Sequence, residues 1–464
     1  MLHQPAELAQ IVEQFSHPRI MLIGDMMVDE YIYGNAERLS PEAPVPIIQE
    51  RYRERRAGGA GNVATNLAVL GAEVLCVALR GADAQGELLI SLLQKAGANT
   101  EGVLGFADRP TTSKIRLVGL AQHRHPQQMM RLDHEDSRPI EADQVEKLLA
   151  YVREHLPSCS LLCLEDYGKG LLTPSFTQEI IRIAKSLNKP VLVDPAAIGD
   201  YSKYRGATII TPNRTEAEKA TGLQLKDSAE AAPALAAALL KQLELEACVL
   251  TLDRHGMYLL EGKKPGVLHA TRPRTIYDVT GAGDMVLATM AMARACGATW
   301  SQAVDIANIA GGLEVEKFGC VPLKKEEILA DLVALDAQGK GKERTLLQLV
   351  AELPRHRNSH RKIVFLHGCF NTLTAADVHL LSFAHQQGDI VIVSLAQTGE
   401  TAFADRCTVL SALSFIDYLV PCKEESPLSL IQVIQPDVVV KTAEMERLDP
   451  DVVTQYGGRV VNAR

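Results

Sequence analysis

Short apolar runs alternate with longer amphipathic segments through the amino-terminal part of the chain. The runs have the length of β-strands and occupy residues 20–23, 74–79, 161–164, 191–193, 208–210 and 248–252. Segments with helical periodicity lie between them, at residues 63–70, 87–95, 142–155, 175–186, 231–243, 283–294 and 301–317. Strands that alternate with helices are typical of a largely parallel sheet with helices on both faces. The pattern therefore predicts a doubly wound α/β fold.

Two stretches depart from this rhythm. Residues 45–55 and 114–131 alternate polar and apolar positions, as strands do, but no helical segment follows either of them. We expect them to form a small β lid over the edge of the main sheet.

A polar and basic connector separates this unit from a second block that begins with a strand. The second block starts at the apolar run 363–366 and repeats the α/β rhythm on a smaller scale. The sequence therefore predicts a first domain at residues 1–335, a linker and connecting helix at 336–361, and a smaller Rossmann-like α/β domain at 362–464.

The composition narrows the class of protein. Of the 464 residues, 47% are hydrophobic and 23% are charged, as in ordinary soluble globular proteins. The chain shows neither a signal peptide nor an apolar run of membrane-spanning length, so we expect no contact with a membrane. Nine cysteines without a Cys-x-x-Cys pair favour reduced thiols in the cytoplasm. The net charge of −9 argues against a nucleic-acid partner but allows a local basic pocket for a phosphorylated small molecule.

The most informative motif is Asp-Val-Thr-Gly-Ala-Gly-Asp at residues 278–284, directly before an apolar helical run. The backbone N–H groups of Gly281, Ala282 and Gly283 at a helix N-terminus form a cradle for phosphate oxygens. Asp284 has two interpretations. It could simply cap the helix, or it could remove the proton from an attacking hydroxyl. A carboxylate beside an anion cradle would repel phosphate unless it had such a task, so the combination favours a general base.

Two further constellations suit a polyol substrate. Gly58, Gly59 and Asn62 precede a helix, where glycines let a ligand approach the backbone and the amide can bond hydroxyls. Asp25 and Asp29 follow the first strand, at the carboxyl edge where open α/β sheets bind ligands. A turn with a solvated acid explains the second pair equally well.

Asn213 and Glu216 lie three residues apart at a helix start, so they share a face. That spacing suits a hydrated Mg²⁺ beside nucleotide phosphates. A capping box has the same spacing and remains an alternative.

Cationic side chains occur near the ends of strands and in the lid segments. Asp166 ends a strand and is followed by Lys169 between glycines, which suits an anionic group. Four further cations fall in or beside the predicted lid and could grip a substrate phosphate, although a lid charge is usually only solvated: Arg38, Lys114, Arg116 and Arg131.

Taken together, these motifs resemble the ribokinase-like (PfkB) sugar kinases. Within that superfamily the first domain is most similar to the kinase half of the bifunctional heptose enzymes of lipopolysaccharide core synthesis. The similarity is carried by residues 24–33, 38–46, 58–62, 131–133, 166–170, 204–208, 211–216 and 278–284, of which 38–46 is the most specific. One departure is Ala196, because the family usually has a lysine after Asp194-Pro195. This departure puts one charge contact in doubt.

The resemblance implies ATP-dependent phosphorylation of D-glycero-D-manno-heptose 7-phosphate at its anomeric oxygen. It implies that Asp284 is the general base, that residues 281–283 form the anion hole, and that Asn213 and Glu216 organise Mg²⁺ through water. Asp29 with residues 58–62 would hold sugar hydroxyls. Nucleotide contacts are further expected from Asp278, Thr280, Gly256 and Asn308.

By the same resemblance, the second domain should be a nucleotidyltransferase that adenylylates heptose 1-phosphate. That family carries two histidines in a Gly-Cys-Phe-Asp-x-x-His-x-Gly-His motif to stabilise the α-phosphate. Thr374 and Asp377 stand at those two positions. We therefore expect a degenerate, truncated cytidylyltransferase-like domain that lacks this activity and is kept for stability or for contacts in a homodimer.

Two other functions remain open. A changed substrate contact at Ala196 would fit a kinase of another sugar or sugar phosphate. The altered second domain would fit a non-catalytic sugar or nucleotide sensor.

Overall fold

The computed structural model describes residues 3–120, 126–223, 228–272, 280–317, 319, 321–338, 341–397, 402–422, 427–445 and 448–462. The chain divides into two units. The first contains Met1–His3 and Gln10–Ile328, and the second contains Gln4–Ala9 and Leu329–Arg464.

The first unit is built on strands that alternate with helices. In chain order the strands are β1 (Arg19–Gly24), β2 (Met26–Leu39), β3 (Pro46–Gly59), β4 (Glu73–Gly81), β5 (Asn99–Phe106), β6 (Ser113–Leu120), β7 (Gln127–His134), β8 (Leu161–Glu165), β9 (Val191–Asp194), β10 (Ile209–Ile210), β11 (Ala247–Thr251), β12 (Met257–Glu261) and β13 (Val267–His269). The helices up to residue 317 are α1 (Pro5–Glu13), α2 (Ala60–Val69), α3 (Ala84–Lys95), α4 (Ala142–His155), α5 (Pro174–Ser186), α6 (Arg214–Thr221), α7 (Ser228–Leu243), α8 (Ala282–Ala295) and α9 (Trp300–Glu314).

Nine of these strands form one sheet in the order β13-β12-β11-β10-β9-β8-β1-β4-β5. The pairs from β11 through β5 are parallel, and β12 and β13 are antiparallel at one edge. On one face, α4, α5 and α7 share a buried core with strand residues such as Met21 and Leu162. α2 and α8 also contact the parallel strands and pack on each other, and α8 packs on α9. The predicted doubly wound α/β fold is confirmed.

The remaining four strands form the lid sheet, in the order β3-β2-β6-β7. Most of the two predicted lid segments belongs to it: 46–55 lie in β3, 114–120 in β6 and 127–131 in β7, while 121–125 are outside the described residues. Of the two interpretations of Asp25 and Asp29, a turn with a solvated acid is wrong for Asp29, which lies within strand β2 of this sheet. Asp29 and Glu30 are buried within β2, because arginines on the neighbouring strands neutralise them.

The two connections between the lid sheet and the main unit lie next to each other. Asp25 alone separates β1 from β2, and Gly59 ends β3 directly before α2. Met26 pairs with Gly59 in the lid, and the N–H of Ala60 donates to the carbonyl oxygen of Asp25 at 3.1 Å. Both lid strands therefore meet the main sheet at one place, the carboxyl end of β1.

The second unit has its own parallel sheet. Its elements, with the helix that precedes them, are α10 (Lys325–Gln338), α11 (Leu346–Asn358), β14 (Ile363–Gly368), α12 (Ala375–His385), β15 (Ile390–Ala396), α13 (Phe403–Ser411), β16 (Tyr418–Cys422), α14 (Leu428–Ile434), β17 (Val438–Lys441), α15 (Asp451–Thr454) and β18 (Arg459–Asn462). The strand order is β16-β15-β14-β17-β18. Apolar cores cover both faces, and Leu349 and Leu353 of α11 belong to one of them. Within the described part of the chain, no helix has both the length and the apolarity needed to cross a membrane.

Candidate active site

The carboxyl ends of neighbouring strands gather polar side chains at one edge of the nine-stranded sheet. Gly24 at the end of β1 pairs with Glu165 of β8, and Glu165 pairs with Asp194 of β9. Beside them lies a cavity of about 750 Å³, whose walls come from the ends of β8 to β11 and from the start of α8. Open α/β sheets bind ligands at this edge, so the cavity is the candidate site.

Asp284 lies in the first turn of α8, is buried and lines the cavity. Its two carboxylate oxygens have different partners. Asn62 Nδ2 donates to Oδ2 at 2.7 Å, and the hydroxyl of Tyr167 donates to Oδ1 at 3.0 Å. The carboxylate is therefore held between the start of α2 and the loop after β8.

Burial raises the pKa of Asp284 to about 6, although the hydrogen bonds from Asn62 and Tyr167 oppose the shift. The nearby carboxylate of Asp29 also raises this pKa, and the ammonium of Lys114 lowers it. A carboxylate with such a pKa is mostly ionised at neutral pH and is a far better proton acceptor than an ordinary aspartate.

The glycine turn before Asp284 has the backbone expected of an anion cradle. Gly281 is the residue before the first helical position and has a φ of 89°, a left-handed conformation that favours glycine. Gly281, Ala282 and Gly283 all line the cavity, where the first N–H groups of α8 have no partner within the helix. Thr280 is exposed in the preceding turn, and Asp278 lies outside the described residues.

Asp29 forms a buried ion pair at the base of the lid. Arg116 Nη1 donates to Asp29 Oδ1 at 2.7 Å, and both side chains are about nine-tenths buried. Gly58 lies against the same carboxylate, and a Cβ at this position would collide with Asp29 Oδ2. Gly58 therefore acts by leaving room for Asp29.

The structure brings only some of the predicted lid cations close to the cavity, and most of these already have partners. Lys114 is half-buried, its Nζ lies 5.3 Å from the centre of the Tyr167 ring, and burial lowers its pKa. Arg131 is bound in a fork by Asp133 at 2.7 and 2.8 Å, and Lys169 pairs with Glu135 at 2.6 Å.

Arg38 is exposed near the distal end of β2. Nine residues of strand separate it from Asp29, which is roughly 30 Å at 3.3 Å per residue. The structure therefore does not bring Arg38 to the site.

Asp25 and Asp166 hold the loop at residues 166–170. Asp25 Oδ2 accepts hydrogen bonds from the backbone N–H groups of Tyr167 and Lys169, each at 2.9 Å. Asp166 accepts from the Gly168 N–H and the Tyr204 hydroxyl, each at 2.8 Å, and pairs with Lys203 Nζ at 2.5 Å. Burial, followed by the charge of Asp166, raises the pKa of Asp25 to about 6. The contacts of these two acids are thus to the protein itself.

Asn213 and Glu216 line the cavity and also cap α6. Asn213 Oδ1 accepts from the Glu216 N–H at 3.0 Å, and Glu216 Oε2 accepts from the Asn213 N–H at 2.9 Å. The capping-box alternative is therefore present. The capping box is compatible with the predicted role in organising Mg²⁺, since each carboxylate or amide oxygen has a second acceptor position. Burial raises the pKa of Glu216.

Glu165 and Asp194 are two cavity acids that the sequence did not single out. Glu165 is buried and Asp194 is partly buried, and desolvation together with neighbouring carboxylates raises the pKa of each well above its usual range. Glu165 Oε2 has no hydrogen-bond partner within the described structure. One acid at the end of an apolar strand is a weak signal, and only the pairing of β8 with β9 brings the two together.

Gly256 and Asn308 shape another wall. Gly256 has a φ of 95°, and a Cβ there would collide with the carbonyl oxygen of His269. Asn308 Nδ2 donates to the carbonyl oxygens of His269 and Ala270 at 3.1 and 3.0 Å. Arg254 and Arg272 line the same wall and were missed, because neither belongs to a glycine motif.

Ala196 is buried and also lines the cavity. Its N–H donates to the Tyr204 hydroxyl at 3.0 Å. Two lysines have contacts close to this wall: Lys203 pairs with Asp166, and Lys219 Nζ donates to the carbonyl oxygen of Ala197.

The second unit has a different arrangement at the corresponding edge of its sheet. Thr374 Oγ1 accepts from the Asp377 N–H at 3.3 Å, and Asp377 Oδ2 accepts from the N–H and the hydroxyl of Thr374 at 2.8 and 2.6 Å. This capping box begins α12. The Asp377 charge therefore lies at a favourable helix N-terminus.

His367 is the next-to-last residue of β14 and is buried. Its Nδ1 lies 3.0 Å from Ser394 Oγ, and burial lowers its pKa. A buried, neutral imidazole with a hydroxyl partner is a core side chain and is not placed to stabilise a phosphate.

Comparisons with known proteins agree with this geometry. Residues 17–326 match the model of the pfkB family carbohydrate kinases. The chain is 39% identical to the bifunctional protein HldE of Wolinella succinogenes, over 94% of this chain and 93% of that protein. It is 37% identical to the bifunctional protein HldE of Geobacter metallireducens, over 98% and 95%.

Solved structures resemble the first unit. Ribokinase from Arabidopsis thaliana, complexed with ribose and ATP, aligns with a TM-score of 0.52 at 19% identity, covering 68% of this chain and 99% of that one. Phosphofructokinase-2 from Escherichia coli, in complex with potassium, aligns with a TM-score of 0.56 at 19% identity, with the same coverage. At these identities the likeness shows a common fold.

Proposed function

Since the chain belongs to the pfkB family of carbohydrate kinases and, over nearly its whole length, to the family of bifunctional HldE proteins, we propose that it phosphorylates D-glycero-D-manno-heptose 7-phosphate at the anomeric oxygen. ATP is the phosphoryl donor, and the product is the 1,7-bisphosphate. The observation that carries this proposal is Asp284, a buried carboxylate with a raised pKa, in the first turn of a helix and beside a glycine cradle.

The proposed reaction is an in-line phosphoryl transfer. The anomeric hydroxyl gives its proton to the Asp284 carboxylate while its oxygen forms a bond to the γ-phosphorus of ATP. The bond from that phosphorus to the bridging oxygen breaks, and ADP leaves with the electron pair. Positioning and charge stabilisation supply most of the acceleration in such reactions.

The chain's own residues divide this work. Backbone N–H groups at residues 281–283 face the phosphate that develops charge. Asn62 holds one oxygen of Asp284, and Asp29, fixed by Arg116, is the proposed partner for sugar hydroxyls. Closure of the lid sheet over the junction at Asp25 would exclude water from the site.

The phosphate already present on the sugar needs a cation near the lid. Lys114 is the best placed of the predicted set. Its ammonium is half-buried and is close enough to Asp284 to lower the pKa of that carboxylate. Arg131 and Lys169 already have carboxylate partners, so they would contribute only after exchanging them.

Mg²⁺ fits the acids of the cavity. Glu165, Asp194 and Glu216 give hard oxygen donors. Burial raises the pKa of all three, and neighbouring carboxylates raise those of Glu165 and Asp194 further. One Glu165 oxygen has no hydrogen-bond partner within the described residues. No cluster of three or more such side chains close enough to bind a metal directly occurs in the described ranges, so these residues would hold the ion through water. When bound, the ion neutralises phosphate charge.

The second unit is proposed to lack adenylyl transfer. Both positions expected to carry histidines are used in the capping box of Thr374 and Asp377. Losing one donor to a developing oxyanion costs about 3 kcal/mol, so losing two lowers the rate by roughly four orders of magnitude. The unit would then serve stability or contacts between copies of the chain.

A substrate panel tests the kinase proposal. The full chain is incubated with ATP, Mg²⁺ and one acceptor: heptose 7-phosphate, free heptose, ribose or fructose 6-phosphate. ADP release gives the rate, and phosphorus NMR identifies a phosphate on the anomeric carbon. We expect the highest kcat/KM with heptose 7-phosphate. A higher value with another acceptor would assign a different sugar, and binding without turnover on every acceptor would favour a sensor.

Adenylyl transfer is tested on the same preparation. The full chain is given ATP and heptose 1-phosphate, and pyrophosphate is measured. We expect no release above the background without enzyme, while the kinase reaction in a parallel tube shows that the protein is folded. Enzyme-dependent pyrophosphate release would contradict the proposed loss.

A further inference from the structure

Tyr167 connects Asp284 to the loop that follows β8. Its hydroxyl donates to Asp284 Oδ1 at 3.0 Å. The charge of Asp284, followed by burial, raises the pKa of Tyr167 well above its usual range. The hydroxyl therefore keeps its proton and remains a donor throughout the pH range in which the carboxylate titrates.

The backbone that carries Tyr167 is held from two sides. Asp25 accepts hydrogen bonds from the N–H groups of residues 167 and 169. Asp166 forms an ion pair with Lys203 and accepts a hydrogen bond from the hydroxyl of Tyr204. Asp25 directly follows β1, and Lys203 and Tyr204 lie in the segment after β9, so these partners are outside the loop. The position of the Tyr167 hydroxyl is thus set by the folded sheet before any substrate arrives.

The ring of Tyr167 also touches the lid. Lys114 Nζ of β6 lies over one part of the ring, at 5.3 Å from its centre. A Cβ built on Gly59, where β3 meets α2, would lie 3.4 Å from Tyr167 Cδ2. The same side chain therefore bonds the proposed base, lies under a lysine of a lid strand and is close to the junction of lid and helix.

The ring by itself excludes water from the cavity wall, as any aromatic side chain there would, whatever its substituent. The hydroxyl is different. A phenylalanine would fill the same space and keep Lys114 over its face, yet it would leave Asp284 Oδ1 without a donor. Any function of the hydroxyl must therefore act through Asp284.

We propose that Tyr167 is a positioning residue for proton transfer, whose hydroxyl fixes the Asp284 carboxylate so that its remaining acceptor positions face the sugar hydroxyl in one orientation. This inference rests on the proposed phosphoryl transfer. Asn62 holds the second oxygen, so the two donors together prevent rotation of the carboxylate.

Several other groups act on the same carboxylate. Asp29 of β2 raises the pKa of Asp284, and Lys114 of β6 lowers it. Glu165 of β8 and Asp194 of β9 face it as well, since the charge of Asp284 contributes to their own raised pKa values. None of these groups changes in a variant that lacks only the Tyr167 hydroxyl, so a shift in pH dependence would report the lost hydrogen bond.

The test is Tyr167→Phe in the full chain. A hydrogen bond to a charged group is worth enough to change a rate by roughly ten- to a hundredfold. We expect kcat with heptose 7-phosphate to fall by that factor and KM for ATP to stay within about twofold. The acidic limb of the pH profile of kcat/KM should move to higher pH, because the carboxylate anion has lost a donor.

Tyr151→Phe is the matched control. Tyr151 lies on α4, and its buried hydroxyl has no hydrogen-bond partner in the described structure. It should leave kcat and the pH profile unchanged. The inference would be overturned if Tyr167→Phe kept the wild-type kcat and acidic limb, with the wild type active and thermal unfolding unaltered. That result would leave the kinase proposal intact. If the wild type showed no turnover, the result would instead contradict the kinase proposal.

Discussion

Asn62 and Asp284 are 222 positions apart in the chain, yet Asn62 Nδ2 donates to Asp284 Oδ2 across 2.7 Å. The first lies at the start of α2 and the second at the start of α8, and these two helices pack on each other. The proposed base is therefore oriented by the contact between two helices, and changes at either end should alter catalysis.

Replacing Asp284 by Asn removes the proton acceptor and preserves the size of the side chain. We expect kcat to fall by roughly a thousandfold or more, while ATP binding measured by calorimetry changes little. Asp200→Asn is the control, since Asp200 is exposed and accepts hydrogen bonds from the N–H and the hydroxyl of Ser202. Near-normal turnover in Asp284→Asn would remove its assignment as base.

The pH dependence follows from the pKa of Asp284. Because burial raises this pKa from 3.8 to about 6, the ionised base is lost as the pH falls through about 6. We expect the acidic limb of kcat/KM near pH 6. Asp25 also titrates near 6, but it is not bonded to Asn62. If the acidic limb reflects the ionisation of Asp284, Asn62→Ala should move it to higher pH; if it reflects Asp25, the limb should not move. An acidic limb near pH 4 in the wild type would contradict the prediction.

Gly58→Ala tests the space beside Asp29. The added Cβ would collide with Asp29 Oδ2, so the carboxylate must move and its bond to Arg116 must weaken. We expect KM for the sugar to rise by about tenfold or more, as for loss of one hydrogen bond to a charged group, with KM for ATP little affected. At Gly199 the nearest atom to an added Cβ is 3.9 Å away, so Gly199→Ala should behave like the wild type. Equal KM values in the two variants would remove the proposed role.

Glu216→Gln separates charge from capping. Glutamine can still accept the Asn213 N–H, so α6 should keep its capping box. We expect the Mg²⁺ concentration needed for half-maximal rate to rise severalfold, with thermal unfolding unchanged. Glu218→Gln on the same helix removes a charge paired with Arg214 and serves as control. The same Mg²⁺ dependence in both variants would exclude a metal-organising role for Glu216.

Local sequence signals were enough for part of this picture. Six strands of the main sheet, β1, β4 and β8 to β11, are short apolar runs, and residues 278–284 are a contiguous motif, so these could be predicted without knowing any partner. The edge strands β5, β12 and β13 were not predicted. The strand β2 could not be predicted in this way. Its buried Asp29 and Glu30 look like solvated acids until Arg116, Arg53 and Arg55 are placed beside them by strands far along the chain.

The same limit applies within the site. Asp25 and Asp166 were predicted to bind substrate because they end strands, but they bond the loop that carries Tyr167. Tyr167, Glu165 and Asp194 went unnoticed, because each is a single residue whose chemistry depends on neighbours across the sheet. Motifs reveal glycine turns well, whereas contacts between distant strands require the fold.

The entry and exit of the lid hairpin have a consequence for engineering. Met26 and Gly59 are already a cross-strand pair, so the chain leaves and rejoins the scaffold at adjacent points. A β2–β3 hairpin from a relative could be grafted as a cassette at these two residues without changing the spacing of β1 and α2. Recombining such cassettes offers a direct route to new acceptor specificity, because Asp29 travels with the graft and Asp284 stays with the scaffold.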